Sequence, residues 1–185
     1  MTRVLVSYAS RFGSTRDVAT RIADRLRVRG CEVRVCSVED GVPVNGYDAV
    51  VLGSGVYDGS WTTDATASVR RQARDLAHKP VWLFSVGSFG DRHPVIGRLM
   101  LKEPKEIGEF EQLIHPRGYR VFAGVIDLEH WPTWARLLFR ALGGRDGDNR
   151  SWPDIDGWAD QIARALDRNT ASANGGGTSE PSARE

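Results

Sequence analysis

Residues 3–15 have the sequence RVLVSYASRFGST, in which a short apolar run passes directly into a loop of small and hydroxyl residues. The run Val4-Leu5-Val6 has no polar break, which is typical of a strand buried on both faces of a sheet. From Ser14 the chain changes to a helical period that places Val18, Ile22 and Leu26 on one face. This stretch predicts a strand, a tight loop and an amphipathic helix, the first unit of an α/β fold.

The same alternation of strand-like and helical patterns continues along the chain. Four further runs rich in β-branched residues are predicted to be strands: 32–37, 48–53, 81–85 and 120–126. Three further segments have helical periodicity: 62–77, 103–113 and 155–166. Strands that alternate with helices favour parallel pairing, with helices covering both faces. We therefore predict a three-layer, doubly wound α/β domain with a five-stranded parallel sheet over residues 1–168, followed by a disordered tail over 169–185, which contains no large apolar side chain.

The composition argues against several classes of protein. The chain has 25 Lys+Arg and 24 Asp+Glu residues, so its net charge of +1 offers no basic surface for nucleic acid. No apolar run approaches the roughly 20 residues of a membrane-spanning helix. Cys31 and Cys36 are too few for a disulfide framework, and Met1-Thr2-Arg3 leads directly into a strand, so no signal peptide is expected. We therefore expect a cytoplasmic protein.

Three loops follow the carboxyl ends of strands one, three and four, where doubly wound domains bind their ligands. In the first, hydroxyl side chains and Gly13 directly precede a helix, whose free N–H groups and dipole favour an anion. This pattern predicts phosphate binding; the alternative is that Ser14 or Thr15 only caps the helix. Neither G-x-x-x-x-G-K-S/T nor G-x-G-x-x-G follows the first strand, so a monophosphate ligand such as FMN remains.

The second and third loops combine glycines with the aromatic residues Tyr57, Trp61 and Phe89. A flat isoalloxazine ring needs walls on its faces and close backbone at its edges, although Gly/Ser loops with an aromatic residue are also common connections. We assign no catalytic acid, base or metal ligand. The residues predicted to bind FMN are Ser10, Arg11, Phe12, Gly13, Ser14, Thr15, Ser54, Gly55, Val56, Tyr57, Asp58, Gly59, Trp61, Ser85, Val86, Gly87, Ser88, Phe89, Gly90 and Asp91.

Residues 127–151 form an unusually long connection before the last helix. They contain an apolar stripe made by Trp134, Leu137, Leu138, Ala141 and Leu142. We predict an inserted helical segment after the fifth strand. It is either an ordinary helix packed on the core, or a lid or docking surface for an apolar substrate or partner.

The motif at residues 10–15 resembles the flavodoxin phosphate signature T/S-x-T-G-N/S-T, with Phe12 at a position where threonine is usual. A closer resemblance, to the quinone-linked, flavodoxin-type protoporphyrinogen IX dehydrogenase family, is carried by residues 10–19, 84–86, 122–124, 143–144 and Trp158. It implies the flavodoxin-like fold, FMN in the three loops, and electron transfer from an organic substrate through FMN to a quinone or another redox partner. In that family the insert is strongly basic, which suits an anionic membrane surface or tetrapyrrole carboxylates; here acidic residues balance its arginines.

Two alternatives to the enzyme follow from the sequence. The first is a flavodoxin-type electron carrier with no substrate of its own; such carriers are usually strongly acidic, so a net charge of +1 favours the enzyme. The second is a domain that has kept the fold and lost the cofactor, for which Phe12 is the motivating residue.

Overall fold

In the computed structural model, which describes residues 1–87, 103–126, 133–134, 137 and 147–174, the strands assemble into one main sheet with helices on both faces. The strands are β1 (Arg3–Ala9), β2 (Glu32–Ser37), β3 (Ala49–Tyr57), β4 (Ser60–Trp61), β5 (Val81–Gly87), β6 (Gly118–Ala123), β7 (Val125–Ile126) and β8 (Gly147–Asp148). The helices are α1 (Ser14–Val28), α2 (Thr63–Arg71), α3 (Ala73–Leu76), α4 (Lys105–Ile114) and α5 (Trp152–Asn174).

The main sheet has the order β2-β1-β3-β5-β6, with all four of these pairings parallel. Strand β4 adds a short antiparallel pairing to β3, and β7 pairs with β8 as a separate two-stranded ribbon. The predicted doubly wound, five-stranded parallel sheet is therefore confirmed. Because the strand order reverses between β1 and β3, the loops that follow these two strands meet at the carboxyl edge of the sheet.

Alternating side chains of each strand supply two separate cores. On one face, Val4, Val6 and Val51 pack with the apolar stripes of α1 and α5. On the other face, Leu5 and Leu83 pack with residues of α2, α3 and α4. The central strands are buried on both faces, which is why their sequences are continuously apolar.

The Phe84 ring occupies the space above Gly53, its neighbour on β3. Phe84 is fully buried, and its ring centroid lies 6.2 Å from those of both Phe122 and Trp158. A Cβ atom at position 53 would overlap the Phe84 ring. Gly53 therefore has a packing role in the sheet.

Ion pairs join the outer faces of α1 and α5. Arg21 pairs with Asp156 at 2.6 Å, and Asp160 accepts from both Arg25 at 2.7 Å and Arg29 at 2.6 Å. Hydrogen bonds from these two arginines hold the pKa of Asp160 well below its usual range. These pairs fix the register of the two helices.

The structure corrects several predicted boundaries. Strand β3 continues to Tyr57, so the second predicted loop is largely a strand and a hairpin. The hairpin turns at Asp58 and Gly59, whose φ values of 51° and 73° are those of a two-residue type I′ turn. The predicted helix 62–77 is divided at Gln72, and α5 reaches Asn174, so the first residues of the predicted tail are helical; residues 175–185 lie outside the described residues.

Within the predicted insert, Thr133, Trp134 and Leu137 are helical. The side chains of Trp134 and Leu137 are 70% and 64% exposed. The other positions of the predicted apolar stripe lie outside the described residues. In the part of the chain that the structure describes, no helix is long and apolar enough to cross a membrane.

Replacing Gly53 by alanine should destabilise the protein by about 1–3 kcal/mol, because the buried Phe84 ring cannot yield to the added methyl group. Urea unfolding followed by circular dichroism measures the change. The matched control is Gly108→Ala in α4, where a Cβ meets no atom within 4 Å; it should stabilise the protein by about 1 kcal/mol. Equal effects of the two variants would contradict the packing role of Gly53.

Asp160→Asn should lower the free energy of unfolding at pH 7 and flatten its dependence on pH in acid. A carboxyl group whose pKa is lowered in the folded state contributes stability above its unfolded pKa of about 4, and this contribution disappears as the pH falls further. Urea unfolding at pH 7 and at about pH 3 measures both effects. Glu111→Gln, which removes an exposed carboxylate of α4, is the control and should leave both values unchanged.

Candidate cofactor site

The loop between β1 and α1 is closed on itself by its own side chains. The Ser10 hydroxyl oxygen accepts a hydrogen bond from the Gly13 N–H at 3.0 Å. Gly13 has a φ of 89°, a left-handed conformation that favours glycine, and it occupies the N-cap position of α1 without a side-chain cap. The alternative that Ser14 or Thr15 only caps the helix is therefore wrong.

The first turn of α1 presents several hydrogen-bond donors. In the described part of the chain, the backbone N–H groups of Ser14 and Thr15 have no acceptor. Thr15 is buried and Ser14 is half-buried, and both carry hydroxyl groups. The Arg16 guanidinium folds back towards Gly13, with its Nη2 atom 3.9 Å from where a Gly13 Cβ would be. Arg16 is not among the residues predicted from the sequence to bind FMN. An arginine in the first turn of a helix, beside a predicted anion-binding loop, is a pattern that could have indicated it.

Tyr57 brings the first and second predicted loops together. Its hydroxyl oxygen accepts from the Arg11 N–H at 3.3 Å, and the Arg11 guanidinium carbon lies 4.6 Å from the centre of its ring. The Phe12 ring lies 6.1 Å from the Tyr57 ring and is 86% exposed. A side chain at Gly55 would meet the Tyr57 ring at 2.9 Å, so this glycine lets the ring lie against the strand.

Other predicted residues have side chains engaged within the protein. Ser54 is fully buried, donates to the Gly55 carbonyl at 2.9 Å and accepts from the Thr62 N–H at 3.1 Å. Val56 packs against the second core, whereas Asp58 and Gly59 are exposed at the hairpin turn.

The end of β5 carries a buried polar network. The Ser85 hydroxyl accepts from Trp61 Nε1 at 2.7 Å and from the Tyr119 hydroxyl at 2.8 Å. Burial raises the pKa of Tyr119 to about 12, so its hydroxyl remains a proton donor. The Trp61 side chain is thus part of the core and ties the hairpin to β5.

The third predicted loop is described only where it begins. Val86 is buried in the first core, and Gly87 is half-buried at the end of β5. Ser88, Phe89, Gly90 and Asp91 lie outside the described residues.

These residues form a donor set that suits a phosphate group. Free N–H groups, two hydroxyls and the nearby Arg16 charge converge at the amino terminus of α1, where the helix dipole also favours an anion. Tyr57 and Phe12 add aromatic surface beside the same loop. The arrangement fits the phosphate and a flat ring system of FMN. Within the described residues, no group of three or more His, Cys, Asp and Glu side chains is placed to hold a metal ion.

Comparisons with known proteins agree with this geometry. Residues 5–151 match the family described as the flavodoxin domain. Protoporphyrinogen IX dehydrogenase (quinone) of Escherichia coli strain K12 is 21% identical, over 91% of this chain and 98% of that protein.

Two solved structures share the fold. A flavodoxin from the domain Archaea superimposes with a TM-score of 0.62 at 13% identity, over 89% of this chain and 99% of that one. Rubredoxin oxygen:oxidoreductase from Desulfovibrio gigas has a TM-score of 0.60 at 17% identity, over 92% of this chain but 37% of that one. This chain therefore spans little more than a third of the Desulfovibrio gigas protein.

The match over residues 5–151 includes the loop between β1 and α1, the hairpin after β3 and both strands of the β7–β8 ribbon. The protein therefore belongs to the flavodoxin domain family, and its cofactor is FMN.

Proposed function

We propose that the protein is an FMN-dependent oxidoreductase of the protoporphyrinogen dehydrogenase type, which passes electrons from an organic substrate to a quinone or another redox partner. The observation that carries this proposal is the extent of the similarity to the Escherichia coli dehydrogenase, 91% of this chain and 98% of that one. The family match over residues 5–151 likewise extends beyond the parallel sheet, through both strands β7 and β8.

The residues that would hold FMN lie in two groups. The N–H groups and hydroxyls of Ser14 and Thr15, with Arg16, would bind the phosphate. Tyr57 and Phe12 would contact the ring system. Bound FMN supplies the capacity to accept a hydride or electrons and pass them on. The protein's own contribution is to orient the cofactor, since no acid or base is assigned.

Exposed apolar side chains support an apolar substrate or acceptor. Trp134 and Leu137 are helical neighbours three residues apart and are largely exposed, and Phe12 is exposed in the phosphate loop. Neighbouring exposed apolar residues, such as Trp134 and Leu137, are typical of interaction surfaces. A quinone ring is flat and largely apolar, and the pyrrole rings of a reduced tetrapyrrole also offer apolar surface that such side chains can contact.

The second candidate is a flavodoxin-type electron carrier without a substrate. The fold itself favours this candidate, since the archaeal flavodoxin is covered over 99% of its length. A carrier docks on its partners through charge, and a chain with a net charge of +1 has little to offer in such docking.

Ser14→Glu should weaken FMN binding by at least about thirtyfold, because a carboxylate in the first turn of α1 repels the phosphate and occupies its donors. Riboflavin, which lacks the phosphate, should bind the variant as it binds the unaltered protein. Quenching of flavin fluorescence measures both dissociation constants. Thr63→Glu is the matched control, because it places the same charge in the first turn of α2, whose N-cap Thr62 already accepts from the Ala65 N–H.

An equal loss of FMN and riboflavin in Ser14→Glu would contradict the phosphate assignment. If the unaltered protein binds neither flavin, it has kept the fold and lost the cofactor.

Anaerobic assays with protoporphyrinogen IX and a soluble quinone test the enzyme. We expect steady-state formation of fluorescent protoporphyrin IX that requires both FMN and the quinone, and that is lost in Ser14→Glu. A protein that holds FMN and exchanges electrons with a flavodoxin reductase, but turns over neither substrate, is a carrier. That result would contradict the proposed enzyme.

A further inference from the structure

The Arg150 side chain makes several polar contacts near the amino terminus of α1. Its guanidinium donates to Asp17 at 2.9 Å and twice to Asp148, both at 2.8 Å. The flat guanidinium group of Arg150 also lies over the Trp152 ring, with its carbon atom 4.5 Å from the ring centre. The Arg150 side chain is only 11% exposed, whereas those of Asp17 and Asp148 are 47% and 46% exposed. Because burial removes most of the water around the Arg150 guanidinium, nearby carboxylates must offset its charge.

Asp17 lies in the first turn of α1, three residues after Ser14. A carboxylate at this position interacts favourably with the helix dipole, but it also repels an anion bound at the same helix terminus. Arg150 offsets that charge by direct contact, while Arg16 contacts Asp17 only at 3.8 Å. The charge that a phosphate meets at this end of α1 therefore depends on a residue 133 positions away in the sequence.

The segment that carries Arg150 is connected to the end of β5 by backbone hydrogen bonds. Strands β7 and β8 pair with each other, and the Asn149 N–H donates to the Gly124 carbonyl at 3.3 Å. The Gly124 N–H in turn donates to the Gly87 carbonyl at 2.6 Å, where β5 ends. A side chain at Gly124 would lie 3.0 Å from that same oxygen, so the close approach requires glycine. Arg150 thus joins this ribbon to the first turn of α1.

We propose that Arg150 is a positioning residue of the FMN site: by neutralising Asp17 in the first turn of α1, it removes the repulsion that a phosphate bound there would otherwise meet. This inference rests on the proposed placement of the FMN phosphate at the amino terminus of α1. Coupling of this kind is reciprocal, so binding of the phosphate also strengthens the contact between Arg150 and Asp17.

Titration of Arg150→Gln with FMN and with riboflavin tests the proposal. The dissociation constant for FMN should rise about fivefold or more, and that for riboflavin should stay within about twofold of the unaltered protein's value. The double variant Asp17→Asn/Arg150→Gln should recover most of the FMN affinity, because the uncompensated carboxylate is gone. Arg120→Gln is the matched control: it breaks an arginine–carboxylate pair of 2.6 Å with Asp154 elsewhere on α5.

The variant Asp17→Asn, which keeps Arg150, covers the case in which Arg150→Gln fails to fold. It should bind FMN more tightly than the unaltered protein, with riboflavin binding unchanged. Unchanged FMN affinity in Arg150→Gln, or equal losses for FMN and riboflavin, would overturn the role of Arg150 alone. Failure of the unaltered protein to bind FMN would overturn the site itself.

Discussion

Burial of α1 between the sheet and α5 is the constraint on which the site depends. Val18, Ile22 and Leu26 have no exposed surface, and they lock one face of the helix into the first core. Arg25 and Arg29 then tie the other side of α1 to Asp160. A helix held in this way keeps its position, so its first N–H groups stay directed at one place at the carboxyl edge of the sheet. Binding there needs little rearrangement, which is the physical basis of preorganisation.

The hairpin after β3 is the second part of the site, and buried hydrogen bonds hold it in place. The hairpin after β3 is anchored by Trp61, whose indole N–H reaches the buried Ser85 hydroxyl, and by Ser54 beneath Thr62. With these polar groups satisfied inside the protein, Tyr57 is the aromatic side chain of the hairpin that reaches the phosphate loop. Fully paired buried polar groups of this kind specify a single geometry.

The chain differs from the usual flavodoxin phosphate signature at Phe12, and the structure gives that difference a physical meaning. An exposed ring stands where a hydroxyl donor is usual, and it lies beside Tyr57. The loop therefore presents apolar surface at position 12 instead of a hydroxyl group. Arg16 lies in the adjacent turn and supplies positive charge there.

The sequence by itself determined the fold class and the place of the loop between the first strand and the first helix. Continuous apolar runs in the central strands, the helical period after Ser14 and the glycine at position 13 are local patterns, and each corresponds to the element observed. The dipeptide Asp58-Gly59 is also a sequence signal for a two-residue hairpin turn, although we interpreted it as part of a loop.

Only the tertiary structure decided which side chains of the predicted site lie at the surface near the β1–α1 loop and which belong to the core. Trp61 looks like a loop residue in the sequence and Ser85 like the last residue of a strand, yet their side chains contact each other across 24 positions inside the protein. Arg150 and Asp17 are separated by 133 positions and carry no shared motif. Such contacts depend on how the strands are ordered and how the helices pack, and local periodicity contains no information about either.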